Sequence, residues 1–114
     1  MKRERRKSFR LKDTLTIVRC SPEYLFESNS LTQDISQNGI CIFTKQKMEI
    51  GETVNLGIYV PEEKAPIAAK AQVLRRNETD NPEFPYLIAL EFSKINEDAR
   101  QRILKHIRFF LLKN

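Results

Sequence analysis

Two separated groups of residues carry side chains that could hold an anionic nucleotide. Near the N-terminus, Arg6 and Arg10 stand four residues apart, and Arg5 comes directly before them. A guanidinium group is planar and permanently charged. It can therefore grip phosphate oxygens bidentately, bond the O6 and N7 edge of guanine, or stack on a purine. Arginines this close together suit a ligand that has both phosphates and guanines.

The second group lies at a predicted strand end and the turn that follows it. Asp34 and Ser36 are two residues apart and are expected to share one face of the strand. A carboxylate can accept hydrogen bonds from guanine N1–H and N2–H, and a hydroxyl can bond base or phosphate. Asn38-Gly39 predicts a type I′ turn with positive φ at both residues, and Gly39 allows a ligand or another backbone to approach closely. A local role stays open, in which these residues only cap and reverse the chain.

Positive charge is concentrated at the beginning of the chain. Residues 1–12 hold seven basic residues against Glu4 alone, whereas residues 13–114 hold 13 basic and 14 acidic residues. We expect residues 1–12 to form a flexible basic arm, because like charges disfavour compact structure until an anion neutralises them. This charge leaves open what the arm contacts: nucleic acid, phospholipid, a nucleotide phosphate, or water alone.

Residues 13–114 are expected to form one all-β domain with a C-terminal helix. Apolar alternation and turn signals predict extended segments at Thr14–Cys20, Tyr24–Ile35, Gly39–Thr44, Thr53–Val60, Ile67–Arg75 and Tyr86–Phe92. Short hairpin links require antiparallel pairing, and closure into a six-stranded, split β-barrel would protect the strand edges. Asn96 is a good N-cap, and the apolar stripe after it predicts an amphipathic helix over about 96–112 that packs on the sheet.

Residues suited to catalysis or metal binding are scarce. Cys20 and Cys41 lack C-x-x-C spacing and are expected to be reduced and structural, and His106 is the only histidine. A Cys41–His106 nucleophilic pair is a minor alternative. We therefore expect no enzyme, no catalytic residue, no metal and no cofactor. No apolar run could span a bilayer and no secretory signal is present, so we expect a cytoplasmic protein without a membrane span.

Together the two motifs, Arg6-x-x-x-Arg10 and Asp34-x-Ser36-x-x-Gly39, resemble the PilZ domain family. The likeness extends along nearly the whole chain, through a Val-x-Arg step in the fifth predicted strand to the terminal helix. It implies a six-stranded antiparallel barrel that binds the bacterial second messenger cyclic di-GMP. Many members have glycine where this chain has Ala89, the mildest replacement.

Through this resemblance, the arm would wrap over the ligand and the turn would form the wall on the barrel side. An arginine at the position of Arg5 tends to accompany a stacked pair of ligand molecules in the family. The implied ligand-binding residues are Arg5, Arg6, Arg10, Asp34, Ser36, Asn38 and Gly39.

The predicted function is a cyclic di-GMP receptor or adaptor module for second-messenger signalling. Ligand would order the arm, and an unidentified downstream protein partner would recognise the ordered arm, since no second domain is expected. A homodimer is one option for the oligomeric state. The alternative function is a nucleic-acid-binding small β-barrel. Against it, residues 13–114 are slightly acidic and show no basic, aromatic stripe across the strands.

Overall fold

An antiparallel sheet and one C-terminal helix make up the fold in the computed structural model, which describes residues 11–12, 17–21 and 29–113. The elements are β1 (Leu11–Lys12), β2 (Ile17–Ser21), β3 (Asn29–Ile35), β4 (Gly39–Thr44), β5 (Thr53–Tyr59), β6 (Ile67–Glu78), β7 (Tyr86–Lys94) and α1 (Glu97–Lys113). In the part of the chain that is described, no helix is long and apolar enough to cross a membrane.

All neighbouring strands in the sheet are antiparallel, and the sheet curls. The strand order is β1-β3-β2-β5-β6-β7-β4, and β3 also pairs with β4, so that the order returns to β3. The antiparallel sheet and the C-terminal helix were predicted, but the count of six strands is not confirmed because seven strands are present. The additional strand is β1, whose Leu11 and Lys12 pair with Ile35 and Asp34 of β3.

Alternating apolar residues on the strands form the core, as the period-two pattern predicts. On β5 the buried residues are Val54, Leu56 and Ile58. On β6 every second residue from Ile67 to Val73 is buried, whereas the residues between them are exposed. Because the two strands pair in register, their apolar sides lie on the same, inner face of the curled sheet.

The C-terminal helix α1 begins and packs as predicted. The Asn96 side-chain oxygen accepts a 2.7 Å hydrogen bond from the backbone N–H of Ala99, the bond expected of an N-cap residue. Ala99, Ile103 and Ile107 are buried in the same core as the sheet residues. The helix therefore covers the core with the stripe that the sequence pattern indicates.

The loop between β5 and β6 holds α1 against the sheet through polar contacts of two helix residues, His106 and Arg102. The Nδ1 atom of His106, whose side chain is fully buried, lies 2.6 Å from a carboxylate oxygen of Glu62. One turn earlier, Arg102 donates a 2.7 Å hydrogen bond from Nε to Glu63 and further bonds to two backbone carbonyls of the same loop. Arg102 and His106 therefore both connect the helix to this loop.

Candidate functional site

The β3–β4 turn contains three of the predicted ligand residues. The backbone N–H of Ser36 donates a 2.9 Å hydrogen bond to the carbonyl of Gly39, so Gln37 and Asn38 form the loop. The predicted type I′ turn is wrong, because neither Asn38 nor Gly39 has positive φ; Gly51 is the only residue with positive φ in the described ranges. The loop is one residue earlier in the chain than the Asn-Gly signal suggested.

Gly39 is needed for close packing against β7. A methyl group on Gly39 would overlap the backbone carbonyl oxygen of Leu90, and Gly39 itself is buried. Next to it, the backbone N–H of Phe92 donates a 2.9 Å bond to the carbonyl of Asn38. The expectation that another backbone approaches Gly39 closely is therefore confirmed, and that backbone belongs to β7.

Ser36 and Asn38 are tied into the turn. The Ser36 hydroxyl is buried, donates to the Gly39 carbonyl at 3.4 Å and accepts from the Asn38 N–H at 3.2 Å. Arg100 of α1 donates a 3.3 Å hydrogen bond from Nη1 to the carbonyl of Gln37. The turn is thus fixed by its own serine, by β7 and by the helix.

Asp34 lies outside this turn, on β3, at one end of a row of paired residues that crosses four strands. It pairs with Cys41 of β4, Cys41 pairs with Ala89 of β7, and Ala89 pairs with Arg75 of β6. Three steps between neighbouring strands span roughly 14 Å. A carboxylate and a guanidinium therefore stand at the two ends of the row, with two small side chains between them.

A cavity of about 300 Å³ lies over this row, and we call it the Asp34 hollow. Asp34 is half-buried in it, and its carboxylate accepts a 3.3 Å hydrogen bond from Gln33 Nε2. Cys41 and Ala89 leave room for a ligand because their side chains are small. The lining residues are Gln33, Asp34, Cys41, Leu74, Arg75, Leu87, Ala89 and Leu90.

Two irregularities in the sheet set the ends of the row. The β3–β4 register shifts between Thr32 and Asp34, and the β6–β7 register shifts between Val73 and Arg75. Each shift adds one residue to a strand. Such bulges change the direction in which the next side chains point and are common beside functional sites. Asp34 and Arg75 each follow one.

Arg75 is a candidate site residue that sequence reasoning did not select. It is exposed, whereas the neighbouring Arg76 donates 3.0 and 3.2 Å bonds to the carbonyl of Met48 and the carboxylate of Glu49. One arginine of the pair thus supports the β4–β5 loop and the other lines the hollow. The Val-x-Arg step was visible in the sequence, but its position opposite Ala89 depends on the strand register.

The three arginines of the basic arm, Arg5, Arg6 and Arg10, lie outside the described residues. Within the described residues, no group of three His, Cys, Asp or Glu side chains could hold a metal ion. The two residues of the alternative nucleophilic pair have different surroundings. Cys41 lines the Asp34 hollow, whereas His106 contacts Glu62.

The match to a known family decides what kind of domain this is. The PilZ domain matches residues 4–109, which includes both sequence motifs, β1 to β7 and most of α1. The chain belongs to the PilZ domain family. Among curated proteins, none matches the chain.

Solved structures, among them a PilZ domain, have a similar fold. The Bacillus subtilis inhibitor of motility (MotI/DgrA) is 26% identical with a TM-score of 0.79, over 97% of this chain and 53% of that one. This chain thus spans about half its length. The PilZ domain of YcgR from Escherichia coli with c-di-GMP is 12% identical with a TM-score of 0.73, over 96% and 94% of the two chains. The K. pneumonia MrkH–c-di-GMP complex is 16% identical with a TM-score of 0.76, over 96% and 54%.

Proposed function

We propose that this PilZ domain is a bacterial receptor module that binds cyclic di-GMP in the Asp34 hollow and is not an enzyme. The observation that carries the proposal is the row from Asp34 to Arg75, with small residues between them. Family membership supports it, and so do the complexes of YcgR and MrkH, which contain c-di-GMP.

The charges at the two ends of the row suit the two chemical parts of the ligand. The Asp34 carboxylate can accept from the N1–H and N2–H groups of a guanine, and Arg75 can donate to a phosphate or to a guanine edge. Between them Cys41 and Ala89 offer a flat floor against which a purine can pack. Ser36 and Gly39 hold the adjoining turn in place, and Ser36 stays a proposed ligand contact.

The position of β1 supports closure of the arm over the ligand. Arg10 is covalently joined to Leu11, and β1 pairs with the last two residues of β3, Asp34 and Ile35. The arm therefore leaves the sheet beside the carboxylate end of the hollow. Binding of an anionic ligand by Arg5, Arg6 and Arg10 would neutralise the arm and order it. A downstream protein partner would then recognise the ordered arm, either on one chain or on a homodimer.

Calorimetric titration of cyclic di-GMP into the full chain tests the binding proposal. We expect micromolar or tighter binding, and no binding at micromolar ligand would contradict it. Asp34→Asn should weaken binding about 10- to 100-fold, because a hydrogen bond to a charged group contributes about 1.5–3 kcal/mol. The matched control is Asp80→Asn in the exposed β6–β7 loop, which should bind as the parent does.

Variants of the arm test whether its arginines bind the ligand. Arg6→Gln combined with Arg10→Gln should abolish measurable binding while the urea midpoint stays unchanged. If these variants unfold the protein instead, the arm has a structural role.

Single- and double-stranded oligonucleotides in the same assay test the alternative function, which is nucleic-acid binding. Tight, strongly salt-dependent oligonucleotide binding without cyclic di-GMP binding would favour it.

A further inference from the structure

Gln33 and Asp34 are consecutive residues of β3, yet both line the Asp34 hollow. In a regular strand, consecutive side chains point to opposite faces. The register shift between Thr32 and Asp34 leaves Gln33 without a register partner on β4. On either side of the two residues, Thr32 and Ile35 are buried. The bulge therefore places two polar side chains next to each other at the hollow, where a regular strand would place one.

The amide of Gln33 turns its nitrogen toward the carboxylate of Asp34. Gln33 Nε2 donates a 3.3 Å hydrogen bond to Asp34 Oδ2. Because an ionised carboxylate only accepts hydrogen bonds, the amide atom that faces it must be the nitrogen. Nε2 carries two hydrogens and uses one in this bond, whereas a carboxylate has about four acceptor positions. The pair can therefore offer a ligand one further donor and further acceptor positions.

The order of these groups complements the base edge that guanine uses in base pairing. Guanine presents O6 as an acceptor, followed by the N1–H and N2–H donors. The Gln33 amide and the two oxygens of Asp34 offer a donor followed by two acceptors, the same order that cytosine presents to guanine. Adenine presents an amino donor followed by the N1 acceptor. Its edge would set donor against donor and acceptor against acceptor.

We propose that Gln33 is a specificity-determining residue that selects guanine by donating a hydrogen bond to O6, beside the bonds that Asp34 accepts. This inference rests on the proposed function, because it requires cyclic di-GMP in the Asp34 hollow. It goes further by assigning recognition of the base to a residue outside both sequence motifs. Asp34 alone could accept from the amino group of adenine as well as from guanine, whereas the Gln33 donor opposes that amino group.

The other donors near the ligand differ from Gln33 in position. Among the described residues that line the hollow, the other side chain with N–H donors is Arg75. It stands three strand steps from Asp34, roughly 14 Å away, which suits the phosphates or the far side of the base. The arginines of the basic arm can bond O6 together with N7, on a different edge of guanine. Neither contact depends on Gln33, so variants of Gln33 separate the three.

Calorimetric titrations of the full chain with three cyclic dinucleotides test the proposal. Cyclic di-GMP is compared with cyclic di-AMP and with cyclic di-IMP, whose bases keep O6 and N1–H but lack the N2 amino group. Gln33→Met removes the donor at nearly constant side-chain volume. We expect it to weaken cyclic di-GMP and cyclic di-IMP by the same factor, about three- to tenfold for one neutral hydrogen bond. Cyclic di-AMP should bind no more weakly than to the parent chain.

The ratio of cyclic di-GMP affinity to cyclic di-IMP affinity separates a direct contact from an indirect one. A fall of this ratio in Gln33→Met would overturn the proposal, because Gln33 would then act only by orienting the Asp34 carboxylate toward N2–H. An unchanged cyclic di-GMP affinity would also overturn it and would assign O6 to the arm. If the parent chain does not bind cyclic di-GMP, the proposed function fails and this inference fails with it, so the two failures are distinguishable.

Two further variants control for position and charge. Gln101→Met changes a glutamine of α1 that bonds to Glu97, and it should bind all three ligands as the parent does. Gln33→Glu keeps the size of the side chain but places an acceptor opposite O6, so it should weaken cyclic di-GMP at least tenfold, more than Gln33→Met does. Urea unfolding of each variant checks that the fold is retained. Parent-like cyclic di-GMP binding by a folded Gln33→Glu chain would overturn the proposal.

Discussion

Replacing Gly39 with alanine isolates the structural role of the glycine in the Asp34-x-Ser36-x-x-Gly39 motif. The added methyl group would overlap the Leu90 carbonyl oxygen. A backbone oxygen cannot turn aside as the end of a flexible side chain can. The β4 strand must therefore move away from β7, and the adjacent hydrogen bond from Phe92 to Asn38 is lost or lengthened.

The size of the effect follows from these two losses. Overpacking at a buried position costs about 1–3 kcal/mol, and one backbone hydrogen bond contributes about 1 kcal/mol. We expect Gly39→Ala to lower the free energy of unfolding by about 2–4 kcal/mol without any ligand present. That is a large part of the roughly 5–15 kcal/mol typical of a small domain.

Gly57→Ala is the matched control for this experiment. Gly57 also lies in a strand and lacks positive φ, and a methyl group there would meet the Tyr59 ring only at 3.6 Å, an ordinary contact. It should be neutral or add up to about 1 kcal/mol, since alanine restricts the unfolded chain. Urea unfolding followed by far-UV circular dichroism measures both variants. Equal stabilities for the two would refute the close-packing explanation.

Three further predictions concern buried groups. Thr32→Val should raise the free energy of unfolding in urea by about 1 kcal/mol, because the buried Thr32 hydroxyl has no hydrogen-bond partner among the residues that the structure describes. A lower free energy of unfolding would mean that the hydroxyl is satisfied. Saturating cyclic di-GMP should slow alkylation of Cys41 by maleimide, with Cys41→Ser marking the background, and an unchanged rate would place the ligand elsewhere. His106→Leu should cost about 3 kcal/mol, and adding Glu62→Leu should recover most of it; no recovery would argue against an energetically coupled pair.

Features that depend on local sequence could be predicted from the chain alone. The alternation in β5 and β6 and the Asn96 cap of α1 depend on spacings of a few residues, and both are as expected. The two-residue strand β1 is too short to show any periodicity, so the pattern placed its residues in the arm and the strand count came out one short.

Features that depend on pairing between distant strands could not be predicted in the same way. The importance of Gly39 arises from Leu90, about fifty residues later in the chain. Arg75 joins the hollow through a bulge at Leu74 and the register with Ala89. Neither bulge has a strong turn signal, because each is set by the partner strand. The sequence therefore predicts one end of the candidate site, Asp34, whereas the other end, Arg75, depends on the strand register.

The return of the strand order to β3 restricts how this domain can associate with other proteins. Each strand from β2 to β7 bonds to at least two other strands, and β3 bonds to β1, β2 and β4. Within the described residues, no strand from β2 to β7 is an edge strand along its whole length, so a foreign strand could be added only at partly paired stretches such as residues 74–78 of β6, which have no partner in β5. We therefore expect a binding partner to recognise mainly side chains or the segment before β1. The strand β4, whose residues are mostly apolar and buried, is paired with β3 on one side and β7 on the other, which protects it against edge-to-edge aggregation.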